Sequence, residues 1–348
     1  MVLLTNYVDN AFKQRILPFL NRLDKNEIEK YFSDLEQSIQ QLVLVGKDPI
    51  DILNLIVDMA KYLSENSGES FSADYQVIPL SNNNELWTFQ LPGGGNIYLF
   101  RTNIGDLIID SGYGYYYNDT KLMLTNLGLG GYSKVKKIIC THADADHCGA
   151  TGYFNVPTYM HPLSKQILDN GIRCFGVKTR NEVLERSYTT TINTLSQLCI
   201  SKSIELFNTQ STKKHGLFPI IDKFEFGNLS FEVWESLGGH VAGQVFLYEK
   251  NEGLLFTSDA LINFNSLTQS RKDYCSIADD YVCSVNVNSE VSRTERYELM
   301  RIAKEIDESL NKIGKRLLIC CGHGAISMLD SNTGNLIQAS DVIKYTVK

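Results

Sequence analysis

The chain has 348 residues, 43% of them hydrophobic, and a formal net charge of −7. Such a composition supports a full core and argues against disorder, and the length suits one large domain or two smaller ones. The acidic balance argues against a general binder of nucleic acid or anionic membrane, which would present a basic face. No apolar run approaches the roughly 20 residues that a membrane helix needs.

The start of the chain, residues 1–7, has no basic segment ahead of its apolar residues, so no signal peptide is expected. Eight scattered cysteines without a C-x-x-C spacing read as free thiols in a reducing cytoplasm. Residues 1–70 are expected to be all-helical. Phe12, Ile16, Phe19, Leu20 and Leu23 recur at helical spacing, with Pro18 as a kink or break. Asp24 and Glu27 form a capping-box pair ahead of the stripe Ile28, Tyr31, Phe32, Leu35, Ile39, Leu42, Val43. Gly46 ends that helix, and Asp48-Pro49 starts the next with a cap and an N1 proline. This segment carries no cluster of reactive side chains. It reads as an extension packed on the rest of the chain or on a second copy in a homodimer, with a lid over a site as the alternative.

A polar, small stretch at 64–70 marks the boundary, giving a helical extension over 1–70 and a second domain over 71–348. Strands are predicted at 75–80, 86–91, 97–101 and 107–110. The turns between them sit at Asn82-Asn83-Asn84, Gly93-Gly94-Gly95 and Asn103-Ile104-Gly105, which makes an antiparallel meander. The pattern then alternates: helix 121–127, strand 135–140, strand 158–160, helix 163–168 and a mostly helical insertion over 171–202. Two hairpins follow, 224–226 with 229–234 and 244–248 with 253–257. A long helix over 290–313 and a strand over 317–320, the last clear one, complete an α/β (α+β) chain.

Chemistry concentrates just after the 135–140 strand, in Thr141-His142-Ala143-Asp144-Ala145-Asp146-His147-Cys148-Gly149. Four candidate ligands fall within six residues, on a loop at the carboxyl end of a strand, where α/β proteins build sites. Imidazoles and carboxylates this dense suit a borderline or hard divalent cation. Four more candidates follow strands: Asp110, His240, Asp259 and His323.

In that order, Asp110, His142/Asp144/Asp146/His147, His240, Asp259 and His323 resemble the motif set of the metallo-β-lactamase fold superfamily of hydrolases, over about residues 74–330. The resemblance implies a four-layer αβ/βα sandwich with metals at one edge between two sheets. It implies a first metal on His142, Asp144 and His240, a second on Asp146, His147 and His323, and Asp259 as the bridge. It further implies attack on a carbonyl or phosphorus centre by a metal-held hydroxide, with Asp146 and Asp110 in the catalytic apparatus and Asp110 orienting a ligand. The family's second histidine is Asp144 here, giving H-x-D-x-D-H. Two imidazoles and one carboxylate suit Fe²⁺ or Mn²⁺ as well as Zn²⁺.

The resemblance thus predicts a cytoplasmic hydrolase carrying two divalent ions, Zn with Fe or Mn as alternatives. It would act on an ester, thioester or lactone of a small molecule, with no nucleic-acid or membrane partner. A mononuclear iron oxygenase on the same fold, a phosphodiesterase and a non-catalytic metalloprotein are the competing readings. His161 and His215 read as structural, with His161 capping the helix that follows, and Cys148, Cys320 and Cys321 as buried thiols. The tyrosine-rich 112–117 loop and a 270–274 loop with Arg271 and Lys272 are candidate substrate contacts.

Overall fold

A computed structural model of the chain describes residues 6–177, 182–211 and 213–347. The reading of the first seven residues falls mostly outside them, as does part of the 171–202 insertion.

The N-terminal helices obey their local signals. α1 (Asn10–Ile16) is capped by the Asp9 carboxylate, which accepts from the Phe12 N–H. Pro18 opens a separate 3-10 turn over 17–19, because its ring cannot continue the preceding helix. α2 (Lys25–Leu44) begins in the Asp24/Glu27 capping box. α3 (Pro49–Glu65) begins at Asp48 with the proline in its first turn. The apolar stripes of α2 and α3 join a single hydrophobic cluster with the outer face of the first sheet.

That sheet starts as the expected meander of β1 (Ser72–Pro79), β2 (Glu85–Gln90), β3 (Asn96–Thr102) and β4 (Gly105–Ile109). α4 (Tyr117–Asn126) crosses over to β5 (Val135–Ile139), which runs parallel to β4. After the single turn α5 (Ala145–Cys148) come β6 (Thr158–Met160), α6 (Pro162–Asn170), α7 (Glu182–Leu195) and β7 (Ile204–Leu206), extending the parallel edge. The second sheet holds β8 (Lys214–His215), β9 (Phe218–Phe226), β10 (Leu229–Glu235), β11 (Val245–Glu249) and β12 (Leu254–Ile262). α8 (Gln269–Val282) and α9 (Ser289–Asn311) intervene before β13 (Leu318–His323), β14 (Ser327–Leu329) and β15 (Leu336–Gln338). β16 (Ile343–Thr346) then returns to the first sheet and pairs with β1.

The layers follow from which faces are apolar. Leu86, Phe100 and Leu107 of the first sheet meet Phe231, Val233 and Phe256 of the second, burying both inner faces. Leu299, Ile302 and Ala303 of α9 cover the outer face of the second sheet at Trp234, Phe246 and Leu255. Helices on both outer faces of two stacked sheets make the four-layer αβ/βα sandwich.

Three expectations change. Residues 269–282 are helix α8 rather than loop: only Arg271, Tyr274, Tyr281 and Val282 are buried, too sparse a stripe to read in a polar sequence. The chain continues past 317–320 with three short strands: β14 is buried but only three residues long, and β15 and β16 are largely exposed, so none shows the run of alternation over four or more residues that marks a half-buried strand. β12 runs on to Ile262, carrying Asp259 inside the strand. Among the described residues no helix is long and apolar enough to cross a membrane.

Candidate metal centre

All seven candidate ligands converge at one edge between the sheets. His142 and the α5 turn follow β5, Asp259 sits in β12, His323 ends β13, and His240 lies in the loop after β10. Three groups of side chains have ligand atoms within 4.8 Å of one another and could each hold a metal ion: His142/Asp144/His240, Asp146/His147/His323 and His142/His147/Asp259. Asp259 spans the halves: Oδ1 is 3.0 Å from His147 Nε2, and Oδ2 is 3.5 Å from His240 Nε2 and 3.3 Å from His323 Nε2. Asp146 Oδ2 lies 3.5 Å from His147 Nε2 and 3.4 Å from His323 Nε2. Asp144 Oδ2 lies 3.7 Å from His142 Nε2 and 3.1 Å from His240 Nε2.

Neighbours fix how the rings point. Asp110 Oδ2 is 2.8 Å from His147 Nδ1, while Thr141 donates to Asp110 through its N–H and its hydroxyl, both at 2.8 Å. Asp110 therefore orients a ring instead of facing the cavity, at a backbone φ of 59°, a left-handed conformation that aspartate tolerates. His142 Nδ1 sits 3.0 Å from the hydroxyls of Thr141 and Ser258, and His240 Nδ1 is 3.2 Å from Asn286 Oδ1. With the Nδ1 edges engaged, the Nε2 edges aim at the centre, the arrangement that ligating histidines normally show.

Glycine admits two close approaches. A Cβ at Gly95 would stand 2.4 Å from His147 Cε1, so a hairpin turn read as mere punctuation is pressed on a ligand ring. A Cβ at Gly322 would stand 2.0 Å from Asp259 Oδ1.

The residues fit a divalent cation. His142 Nε2, His147 Nε2 and Asp259 Oδ1 are buried without a hydrogen-bond partner, and His147 and Asp259 face each other at 3.0 Å without alignment. Buried polar atoms are rarely left so unless something else satisfies them. The electrostatics agree. Burial opposes protonation of His147, yet Asp259, Asp146 and Asp110 push its pKa well above the ordinary value. His323 is raised the same way, against burial, chiefly by Asp259. His142 is lowered by burial and by His147. Asp259 is held well below the carboxylate range, against burial, by His147 and His323. Asp144 is held there too, chiefly by Arg173.

Asp144, Asp146, His240, Asp259 and His323 open on a cavity of about 170 Å³. Met59 of α3 and Lys272, Tyr274 and Cys275 of α8 also line it, so the N-terminal helices reach the site while α8 forms a wall. Tyr62 of α3 stacks on Tyr274 at 4.4 Å and donates to the Pro92 carbonyl. Of the 112–117 tyrosines only Tyr113 lines the cavity; Tyr116 is buried, and Tyr117 stacks on Tyr132 and Tyr153. Arg271 is consumed by an ion pair with Asp74 and by the carbonyls of Leu91 and Gln90, which leaves Lys272 as the cation that α8 contributes.

The structural readings of the remaining groups agree with their contacts. His161 Nδ1 accepts from the Leu163 N–H and caps α6. His215 stacks on Trp234, and the Cys148 thiol donates to the Ala143 carbonyl. Sequence reasoning missed Arg173 and Tyr188, which line the cavity, Glu185, which pairs with Arg173, and Ser258 and Asn286; they belong to no motif and are brought in only by the chain fold.

A family model described as the metallo-beta-lactamase superfamily matches residues 91–281. No curated protein matches the chain. Similar solved structures include the metallo-β-lactamase DIM-1 exposed to ceftazidime, at 13% identity over 73% of this chain and 91% of that one, with a TM-score of 0.41. Metallo-β-lactamase IND-7 aligns at 17% identity over 72% and 90%, with a TM-score of 0.40. A mutant flavo di-iron protein from Thermotoga maritima aligns at 16% identity over 73% of this chain, with a TM-score of 0.39, and the chain spans only 57% of its length.

Proposed function

Since the chain belongs to the metallo-β-lactamase superfamily, a group of metal-dependent, mostly hydrolytic proteins, we propose that it hydrolyses an ester, thioester or lactone of a small molecule. The observation that carries this reading is the convergence of seven His and Asp side chains at one edge of the sandwich, five of them lining one cavity and three, His142, His147 and Asp259, each presenting a buried atom without a partner. His142, Asp144 and His240 would hold one divalent cation, Asp146, His147 and His323 a second, and Asp259 would serve both. Two such cations, when bound, lower the pKa of an attacking water and polarise the bond under attack.

The chain's own groups supply the rest. Asp110 holds the His147 ring, so that Nε2 is presented at a fixed angle. Asp146 lies on the cavity wall, where its carboxylate would receive the proton of the attacking water. Burial raises the Tyr113 phenol well above its ordinary pKa, so it stays protonated and can donate to an oxyanion. The small cavity, walled by Met59, Phe264 and Tyr274 with Lys272 at one side, suits a compact acyl group bearing a carboxylate or phosphate.

Elemental analysis of the purified protein, followed by assay on ester, thioester and phosphodiester panels against a His142→Ala control, tests the reading. A filled site with no hydrolysis of any panel member would sink it. The His142/Asp144/His240 group supports a second reading, because two imidazoles and a carboxylate are a common ferrous set. One iron per chain with oxygen consumption would favour that reading over hydrolysis, and two zinc ions would exclude it.

A further inference from the structure

Arg173 is 3% exposed and has no part in any motif, yet it is gripped from several sides at the edge of the metal centre. Its Nε donates to Asp144 Oδ1 at 3.2 Å and its Nη2 to Asp144 Oδ2 at 2.9 Å, a bidentate fork. Nη2 also donates to the Val285 carbonyl at 2.7 Å, and Nη1 to Glu185 Oε2 at 3.1 Å. With most of its donors used inside the protein, Arg173 is poorly placed to hold substrate. Its effect falls on Asp144.

We propose that Arg173 makes the two halves of the centre unequal: by clamping Asp144 it weakens the His142/Asp144/His240 site for a divalent cation, so the Asp146/His147/His323 site fills first. This rests on the metal-dependent reading above, not on which bond is cleaved.

The partners of the two halves carry the argument. Asp144 shares its charge with a buried guanidinium, and the same fixed positive charge repels a cation placed between His142 and His240. Glu185 balances Arg173 overall but contacts Nη1, off the edge that faces Asp144. The rings of that half are backed by neutral groups, the Thr141 and Ser258 hydroxyls and the Asn286 side chain. In the other half His147 is backed by the Asp110 carboxylate, which strengthens it as a donor. Among the described residues the ion-pair partners of Asp146 and Asp259 are histidines alone, the prospective ligands themselves. Arg173 is thus a positioning residue, acting through Asp144.

The test is a titration of chelator-stripped full-length protein with Zn²⁺ against a chromophoric competitor. Wild type should take two equivalents, the second bound at least roughly tenfold more weakly, the scale of effects exerted by groups behind a ligand. Asp144→Asn should abolish only the weak equivalent. The paired variant Arg173→Gln/Glu185→Gln removes both buried charges while keeping hydrogen-bonding groups, and should tighten the weak equivalent about tenfold and leave the strong one unchanged. Arg173→Lys, which keeps the charge, should leave the weak equivalent weak. Circular dichroism confirms folding, and should the paired variant not fold, the wild-type ratio and Asp144→Asn still decide. Two equal equivalents in wild type, or a folded paired variant with no tightening, overturn the proposal. Binding of no cation at all overturns the metal reading with it.

Discussion

The two halves of the metal centre use the same side-chain types and differ in what stands behind them. His142, Asp144 and His240 are backed by hydroxyls, an amide and the Arg173 guanidinium. In the other half Asp146 contacts the His147 and His323 rings, His147 is also held by the Asp110 carboxylate, and Asp259 reaches His147 and His323 while touching His240 of the first half. Ligand identity alone would make the halves similar; the surrounding charge makes one attract a cation more strongly than the other. The lesson is that a motif names the ligands while the neighbouring charges rank the sites.

The sharpest way to break this comparison is to delete one ring from each half. His147→Ala removes a ligand that touches both Asp146 and Asp259, and should cost both metal equivalents and all hydrolysis. His142→Ala should lose the weaker equivalent first, as read by elemental analysis after desalting; the reverse order would contradict the ranking. Next in size is Asp110→Asn, which keeps the shape but withdraws the charge behind His147. It should lower the affinity of the stronger site by roughly 10–100-fold in competition titration. Asn286→Ala, behind His240, exchanges a neutral partner for none and should change the weaker site by less than about tenfold in the same titration.

The smallest effect is in the pH dependence of the chelated protein. His147 and His323 have pKa values raised on folding, so their contribution to stability is complete below about pH 6.5 and fades as pH rises. His142, lowered by burial, works in the opposite sense and removes part of that gain. Asp144 and Asp259 are depressed, so they stabilise above about pH 4 and the contribution is lost as pH falls. Metal-free protein should therefore melt higher at pH 5 than at pH 8 in calorimetry, with the difference cancelled by added Zn²⁺. A higher melting point at pH 8 without metal would show that the second half does not concentrate negative charge as described.

Much of the fold was legible because local physics wrote it. The Asp24/Glu27 box, the Asp48-Pro49 start and the meander from β1 to β4 each depend on contacts a few residues apart. α8 was not legible, since its burial depends on α3 and on the cavity rather than on its own periodicity. β16 pairs with β1 across most of the chain, a contact that no local pattern encodes. Most candidate ligands could be read because they follow a strand end or sit among glycines, whereas Asp259, inside β12, was read from its place in the ordered set. The groups behind them could not: Arg173 reaches Asp144 from 29 residues away, and Ser258 reaches His142 from 116.

The amino-acid sequence by itself determined which residues can ligate a cation, the capped helices and the superfamily, because side-chain chemistry and short-range hydrogen bonds are properties of the local chain. The tertiary structure decided which Nε2 edges meet, that Asp259 spans both halves, and that Asp144 is shared with a buried arginine. Those outcomes depend on how two sheets and an insertion close around one edge, where burial strengthens every charge and distance sets which one dominates.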